Sequence, residues 1–299
     1  MAQSVSSNMN PVAHTPVLLH ESVDSLAIQP NDIVVDGTFG GGGHSKEIIS
    51  LLTKDTLICV DLDEAAEQRF NEQLAGGNAV FVHGNFKDAA KVMEMAKVAA
   101  VDKVLLDLGT STFQLLDDTR GFSFQSDTPL AMTFSRHGSH TGFTAYDIVN
   151  SWQEASIADV IYGYGEETAA RKIARAILMA RAEAPIKTSR QLADVIAAAI
   201  PRRGRIHPAT KTFQALRIAV NDELGTLTAA LDNWWQALNA HGRISIITFH
   251  SLEDRIVKQW MKEQPQGRPV TKKPLAPSPE ELSNNPRSRS AKLRTIEKQ

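Results

Sequence analysis

The sequence predicts an α/β protein with a Rossmann-like parallel sheet that is interrupted by an inserted all-helical subdomain. Short apolar runs rich in β-branched residues alternate with helical patterns over residues 33–108, an order typical of a parallel sheet. From 115 to about 210 the helical patterns continue without a buried strand, and strand patterns return only later. We therefore predict a sheet domain built from 1–114 and 212–299, the latter with a basic tail, and a helical insert at 115–211.

The first predicted strand, residues 33–35, leads into a loop with five glycines among seven residues. Asp36 ends the strand, and Ser45 is the predicted N-cap of a helix at 46–52. In this arrangement backbone N–H groups of the loop and the helix start approach the anionic part of a ligand closely. The alternative interpretation of the glycines is a flexible turn.

The spacing of the glycines in this loop distinguishes between two kinds of nucleotide-binding site. A dinucleotide fingerprint reads G-x-G-x-x-G, and here Ser45 stands where its third glycine would lie. The loop fits better the first motif of S-adenosylmethionine (SAM) methyltransferases, in which small residues follow an acid at two-residue steps. Here that series is Asp36, Thr38, Gly40 and Gly42. The anionic group held by the loop would then be the methionine carboxylate of SAM.

Acids also end two later predicted strands. Asp61 closes the second strand, 57–61, and Asp107 lies at the end of the fourth, 101–108, while the third, 79–82, precedes Phe86. Asp61 follows Asp36 by 25 residues, near the spacing at which a second-strand carboxylate accepts hydrogen bonds from ribose hydroxyls. We expect all three acids to face the crevice at the carboxyl ends of the strands. Phe86 is a candidate to flank an adenine ring.

The second half of the chain is predicted from its apolar periodicity. Amphipathic helical patterns cover 157–181 and 189–200 in the insert, and apolar residues at steps of three and four predict one long helix over 213–238. A fifth strand at 243–249 ends in His250, a helix follows at 252–261, and 292–296 is the predicted last strand.

Composition narrows the class of protein. The hydrophobic content of 42% and charged content of 22% in 299 residues are ordinary for a soluble globular protein. The single cysteine, Cys59, excludes an internal disulfide and is predicted to be a small core residue rather than a nucleophile. Residues 1–13 lack the pattern of a signal peptide, and no apolar run is long enough to span a membrane. The expectation is a cytoplasmic enzyme with no membrane partner.

Two segments are strongly basic although the net charge of the chain is only −2. Residues 171–217 hold eleven Lys/Arg against two acids, and residues 265–299 hold eight against three. Such an uneven distribution predicts a polyanionic partner on one side of the molecule, with Arg202, Arg203 and Arg205 as candidate phosphate contacts. A solvated charged surface is the alternative.

Nine longer motifs run from His14 almost to the C-terminus. They are His14-Thr-Pro-Val-Leu-Leu, Asp36-Gly-Thr-Phe-Gly-Gly-Gly-Gly-His-Ser, His83-Gly-Asn-Phe, Asp107-Leu-Gly, Arg120-Gly-Phe-Ser-Phe, Tyr164-Gly-Glu-Glu, His207-Pro-Ala-Thr-Lys-Thr-Phe-Gln-Ala-Leu-Arg-Ile-Ala-Val-Asn, Thr248-Phe-His-Ser-Leu-Glu-Asp-Arg and Asn285-Pro-Arg-Ser-Arg-Ser-Ala-Lys-Leu-Arg. With these motifs the chain resembles the bacterial ribosomal RNA small subunit methyltransferase H family, the 16S rRNA cytosine-N4 methyltransferases.

The resemblance implies a Rossmann-like SAM-dependent methyltransferase sheet, with SAM as the cofactor. It implies as acceptor the N4 amino group of a cytidine in the decoding region of 16S rRNA, within the small ribosomal subunit or as naked RNA. The oligomeric state is not indicated, and no metal is implied. Carried over by motif position, the cofactor contacts would be Gly42, Gly43, His44, Asp61, Phe86, Asp107 and Gln114.

Two residues are candidates for the chemistry. Asp107 could accept hydrogen bonds from the amino group of the base, since the lone pair of that nitrogen is delocalised into the ring, or it could serve cofactor binding alone. His250 could contact the base or a phosphate, or it could simply cap the following helix. The [DNS]-P-P-[FYW] motif of amino-methylating DNA enzymes is absent at Asp107-Leu-Gly, so DNA is not the expected substrate.

The chain departs from the family pattern at two places. Phe113 stands where the family has proline, and Ala131, Thr133 and Ser135 replace two acids and an arginine. Two alternatives belong to other classes of function. A dehydrogenase would need the glycine pattern that the loop lacks, whereas a non-catalytic RNA-binding ribosome-assembly factor that retains SAM binding stays open as an alternative.

Overall fold

The computed structural model describes residues 15–299 except positions 55, 118, 126, 136–137, 140 and 203–205. His14, Arg203 and Arg205 of the sequence predictions therefore lie outside the described residues. Seven strands form one sheet in the order β3-β2-β1-β4-β5-β7-β6, with β1 to β5 parallel and β7 antiparallel to both its neighbours. The strands are β1 (Val34–Asp36), β2 (Leu57–Asp61), β3 (Ala79–His83), β4 (Val101–Asp107), β5 (Leu238–Thr248), β6 (Gly267–Pro269) and β7 (Lys292–Lys298).

Helices surround the sheet and form the insert between β4 and β5. They are α1 (Leu19–Leu26), α2 (Gly43–Ser50), α3 (Glu64–Gln73), α4 (Ala89–Ala96), α5 (Thr112–Leu116), α6 (Ala145–Ser151), α7 (Glu154–Gly165), α8 (Ala170–Glu183), α9 (Ser189–Ala199), α10 (Thr210–Asn221), α11 (Glu223–Ala237), α12 (Ser251–Glu263) and α13 (Pro279–Asn284). A 3₁₀ helix, Pro286–Ser290, precedes β7. None of the described helices is long and apolar enough to cross a membrane.

Apolar side chains cover both faces of the sheet because successive residues of a strand point to opposite faces. Leu106 of β4 belongs to a core shared with α4, α11 and α12, at whose centre the fully buried Trp234 lies. Leu105, the preceding residue, packs on the other face with Ile48 of α2 and Phe70 of α3. The β-branched runs of the sequence therefore form a sheet buried on both sides, and the predicted α/β class is confirmed.

The insert has a hydrophobic core of its own. Buried residues from Phe122 to Val220 form one cluster, in which helices α6 to α10 pack around Ile161 and Ile177. Between 115 and 210 the described residues contain only an isolated bridge, Pro129 with Thr188, and no strand. The predicted division at 211/212 stays a prediction, but α10 packs with the insert beyond that position.

The prediction of one long helix over 213–238 is wrong. The chain breaks at Asp222, whose φ of 45° and ψ of 46° are left-handed, so that α10 and α11 are separate helices. An aspartate tolerates this conformation. Apolar residues continue at steps of three and four on both sides of Asp222, so their spacing gives no sign of the break. The stretch 157–181 is likewise two helices, because Glu166 between α7 and α8 has a φ of 48°.

Candidate functional site

A cleft opens at the carboxyl ends of β1, β2 and β4, where open parallel sheets bind their ligands. Its walls come from the glycine loop, the segments after β2, β3 and β4, helices α10 and α11, and the C-terminal 3₁₀ helix. Six of the seven predicted cofactor contacts line it, namely Gly43, His44, Asp61, Phe86, Asp107 and Gln114.

Asp61 connects the end of β2 to the glycine loop. Its Oδ2 accepts the backbone N–H of Gly40 at 2.7 Å, and its Oδ1 accepts that of Asp63 at 2.8 Å. Burial raises the pKa of Asp61 to about 6, although both hydrogen bonds act in the opposite direction. Asp61 therefore fixes the loop as well as facing the cleft, as the sequence predicted.

The expectation that Asp36 faces the crevice is wrong. Asp36 is almost fully buried and does not line the cleft. Its carboxylate accepts the Ser45 hydroxyl at 2.6 Å and the Thr38 N–H at 3.1 Å, and burial raises its pKa to about 6. Ser45 is accordingly not the N-cap of α2, which begins at Gly43 with Gly42 as its cap. The hydrogen bond between the Asp36 and Ser45 side chains therefore connects the two ends of the glycine loop outside the cleft.

Gly42 is the predicted cofactor contact that the cleft does not include. Its φ is +75°, a left-handed conformation that favours glycine. A Cβ at this position would lie 2.8 Å from Phe39 Cζ and would point into the core rather than toward a ligand. Gly42 thus shapes the turn, and its contact with SAM stays a prediction.

Asp107 is a cleft residue whose pKa is raised far above its ordinary value. Burial is the main cause that raises its pKa to about 8, the negative charges of Asp36 and Glu253 add to the rise, and Arg287 opposes it. Its Oδ1 is buried and has no hydrogen-bond partner among the described residues. Its backbone N–H donates to the Thr38 hydroxyl at 2.7 Å, which fixes the end of β4 against the glycine loop. An unpartnered buried acceptor is costly unless a ligand supplies a donor.

His44 lies beside Asp107 at the start of α2. Its Nε2 is 3.1 Å from the Val17 carbonyl, which can only accept, and burial lowers its pKa to about 4. The ring is therefore neutral at physiological pH, with its proton on Nε2. Nδ1, 3.8 Å from Asp107 Oδ2, is left as an acceptor facing the cleft.

Phe86 and Gln114 are each held by a hydrogen bond, Phe86 from another element and Gln114 within its own helix cap. The carbonyl of Phe86 accepts the indole N–H of Trp234 at 2.7 Å, which links this wall of the cleft to the core of α11. Gln114 belongs to the capping box of α5, in which its side chain accepts the Ser111 N–H at 3.0 Å. Both side chains therefore line the cleft from fixed positions.

His250 does not line the cleft, and the structure places it at the N-cap of α12. Its Nδ1 accepts the backbone N–H of Glu253 at 3.3 Å, and its Nε2 lies 3.2 Å from a carboxylate oxygen of the same residue. The capping alternative is thus the one that the geometry supports. Glu253, which does line the cleft, is the carboxylate that His250 positions.

Sequence reasoning assigned no role to four charged residues of the cleft. Arg217 pairs through two hydrogen bonds, of 2.7 and 2.9 Å, with Glu223 across the break between α10 and α11. Glu253 lies near this pair, and Arg287 reaches in from the 3₁₀ helix, donating to the Thr112 hydroxyl and the Thr110 carbonyl. Three of the nine motifs contain Arg217, Glu253 and Arg287, and the two arginines also lie in the basic segments 171–217 and 265–299. Glu223 lies in no motif, so no sequence signal pointed to it.

The departures from the family pattern have defined contacts. The Arg69 guanidinium lies 4.5 Å from the centre of the Phe113 ring, a cation–π contact, and its Nε donates to the Gly40 carbonyl. The Ser135 hydroxyl donates to Glu64 at 2.7 Å. Phe113 therefore attaches α5 to α3, and Ser135 attaches a loop of the insert to α3.

The polar atoms of the cleft fit SAM. The cofactor carries a sulfonium and an ammonium cation, and both would relieve the cost of the buried Asp107 carboxylate. The hydroxyl of Thr226, which also lines the cleft, is a second buried polar atom without a partner among the described residues. Asp61 presents its carboxylate at the end of β2, as ribose recognition requires. On a Rossmann-like sheet, this is the cleft of a SAM-dependent methyltransferase.

Comparison with known proteins leads to the same class of protein. The model of the MraW methylase family matches residues 11–299, and the chain belongs to this family. The chain is 44% identical to the ribosomal RNA small subunit methyltransferase H of Clostridium botulinum (strain Loch Maree / Type A3), over 95% of this chain and 98% of that one. The protein of the same name from Coprothermobacter proteolyticus is 44% identical over 97% of each chain. These findings confirm the predicted family, the methyltransferase class and the SAM cofactor.

Replacing Asp61 with alanine is expected to weaken SAM binding by roughly 1.5–3 kcal/mol, the range for hydrogen bonds to a charged group. The variant loses the carboxylate that lines the cleft at the end of β2 and the acceptor that orders Gly40. Calorimetric titration of SAM into both proteins measures the change, and thermal melting shows that the variant is folded. Equal affinities would remove Asp61 from the binding site.

Proposed function

We propose that this protein transfers a methyl group from SAM to the N4 amino group of a cytidine in the decoding region of 16S rRNA, in the context of the small ribosomal subunit. The motifs that the chain shares with the methyltransferase H family support this specificity. The names of the relatives reported above support the coarser part, methylation of small-subunit ribosomal RNA. The observation that carries the chemistry is the buried, unpartnered Oδ1 of Asp107 at the end of β4.

The cytosine amino nitrogen is a poor nucleophile because its lone pair is shared with the ring. Bound SAM supplies an electrophilic methyl group, and transfer is an in-line displacement in which positioning contributes most. Asp107 in its ionised form accepts an N–H of the amino group and so favours the pyramidal, nucleophilic nitrogen. A pKa of about 8 also lets this carboxylate take up the proton that the nitrogen loses.

The remaining charged residues of the site act around the Asp107 carboxylate and the amino nitrogen of the base. Glu253 and the Arg217–Glu223 pair form the wall against which the base would lie, and His250 acts through Glu253 as a positioning residue. Arg287, from the basic tail, brings a positive charge to Asp107. That charge stabilises the ionised form of the carboxylate and provides a donor for the RNA backbone at the mouth of the cleft.

The test is to identify the product. We expect the purified protein with SAM to methylate small ribosomal subunits, and digestion followed by mass spectrometry to find N4-methylcytidine at one decoding-region position. Naked 16S rRNA in a parallel reaction shows whether the assembled subunit is required. A methyl group on any other atom would refute the N4 assignment. SAM binding without transfer to either substrate would instead favour the assembly-factor alternative.

A further inference from the structure

A second concave site lies on the insert and shares no described lining residue with the cleft. Its walls include Phe124 from the loop before α6, Arg190 and Asp194 from α9, and Arg202 and His207 from the segment that leads into α10. All four of the latter lie within the strongly basic segment 171–217. The cleft chemistry derived above does not use this site.

One wall of this pocket is a fixed aromatic platform. The imidazole of His207 stacks on the ring of Phe124 with centres 4.6 Å apart and planes inclined by 22°. Phe213, buried in the core of the insert, supports Phe124 edge-on at 5.2 Å. His207 Nδ1 accepts the Ala209 N–H at 3.2 Å, so the neutral ring carries its proton on Nε2. Stacked rings held in this way suit a nucleobase, since every base has a π-face.

The charges of the pocket are mixed. Arg190 is held at its wall by a hydrogen bond of 2.6 Å from Nη2 to the Gln125 carbonyl, and Arg202 lies on the same wall. Asp194 adds a carboxylate. A carboxylate disfavours a bare inorganic anion but can accept from a ribose hydroxyl or a base amino group, while the arginines suit a phosphate. The combination therefore matches a complete nucleotide.

Helix α10 connects the two sites. Thr210, its first residue, lines the pocket, whereas Arg217 and Asn221 near its other end line the cleft. At 1.5 Å per residue the two ends are about 16 Å apart, a span that a few nucleotides of single-stranded RNA can cover. One rigid element thus sets the distance between the reacting position and the pocket.

We propose that this pocket binds a nucleotide of the substrate RNA a few positions from the methylated one. The base stacks on the face of His207 opposite Phe124, which supports the imidazole from behind, and the phosphate lies at Arg190 and Arg202. The inference rests on the proposed function, because it assigns a second subsite to the same RNA. The fixed distance between this pocket and the cleft then determines which cytidine of the RNA enters the cleft.

The test compares four variants for binding of a decoding-region RNA fragment across a salt series. His207→Ala is expected to lower the affinity roughly 5- to 150-fold, the range for loss of stacking on one base. His207→Phe keeps a ring and should stay near wild type. Arg190→Ala should reduce the salt slope by about one. Arg175→Ala removes an exposed arginine of the same basic segment outside the pocket and serves as the matched control. SAM affinity should be unchanged in all four, and a cooperative thermal transition should show that each variant is folded even where His207→Ala and Arg190→Ala lower the melting temperature through their lost contacts.

Abasic scanning of the RNA then identifies the bound nucleotide. One abasic position outside the methylated cytidine should weaken binding to the wild type as His207→Ala does, and should weaken binding to His207→Ala no further. If His207→Ala behaves like Arg175→Ala while the wild type methylates its cytidine, the subsite is refuted and the proposed function stands. If only Arg190→Ala has an effect, the pocket holds backbone alone and the base platform is refuted. If the wild type methylates no RNA, both proposals fall.

Discussion

Asp107→Asn is expected to slow methyl transfer by about 10²–10⁴-fold, the usual contribution of a positioned acid or base. It should also flatten the pH dependence of SAM binding. With a pKa of about 8, Asp107 of the free protein is mostly protonated at pH 6. A cationic ligand prefers the carboxylate, so wild-type affinity should rise up to tenfold per unit from pH 6 to 8 and level off above. Asparagine has no charge to titrate.

The measurements are SAM calorimetry between pH 6 and 9 and single-turnover transfer at saturating SAM. Asp24→Asn, which changes an exposed acid on α1 outside the cleft, is the control. An Asp107→Asn variant with the wild-type pH profile would show that another group titrates. Unchanged transfer would leave Asp107 with no part in the reaction.

The same variant should be more stable than the wild type at pH 8. The folded pKa of Asp107 lies above the ordinary value of 3.8, so the native state binds its proton more tightly than the unfolded state. The contribution of this tighter proton binding to the free energy of unfolding is fully present below about pH 4 and is lost as the pH rises toward 8. A rise of four pKa units lowers the free energy of unfolding at pH 8 by at most ~5 kcal/mol. Asparagine avoids this loss because it has no carboxyl group to ionise. Chemical denaturation at pH 4.5 and pH 8 should show a gain for Asp107→Asn that is larger at the higher pH.

Gly121→Ala should destabilise the insert by about 2–6 kcal/mol. The φ of Gly121 is +73°, and a Cβ there would lie 2.0 Å from the Pro129 carbonyl oxygen, a backbone atom that cannot yield easily. Strain from the left-handed conformation costs of order 1–3 kcal/mol, and forcing the two segments apart adds a similar amount. Urea denaturation of the whole protein measures the loss.

Gly142→Ala is the matched control for that experiment. Gly142 lies in the same insert with a φ of +80°, and nothing lies within 4 Å of its would-be Cβ. It should therefore show the conformational cost alone, about 1–3 kcal/mol. Equal losses for the two variants would mean that the contact with Pro129 relaxes at no cost, contrary to our expectation.

The local parts of the fold were predictable from the sequence. Apolar β-branched runs bounded by polar residues defined β1, β2, β4 and β5, and the position of Asp61 and Asp107 at strand ends put both in the cleft. These are properties of a few neighbouring residues. The parallel order of the strands then brings their ends together without further information.

The parts that were missed depend on contacts between distant residues. Whether Asp36 faces a ligand or the core is decided by the hydroxyl of Ser45, nine positions away. The break at Asp222 is one left-handed residue inside an uninterrupted apolar period, and it is what allows Arg217 to reach Glu223. No pattern in the sequence encodes these directions, because each is set by packing.

The hydrogen bond from Trp234 to the Phe86 carbonyl has an optical consequence. The indole is fully buried and its N–H ends on the backbone of a residue that lines the cleft. Indole emission responds to the dipole of the group it donates to, so a small movement of Phe86 is transmitted to a chromophore shielded from solvent. We therefore expect SAM binding to change the emission of Trp234, one of the four tryptophans of the chain, without an added label.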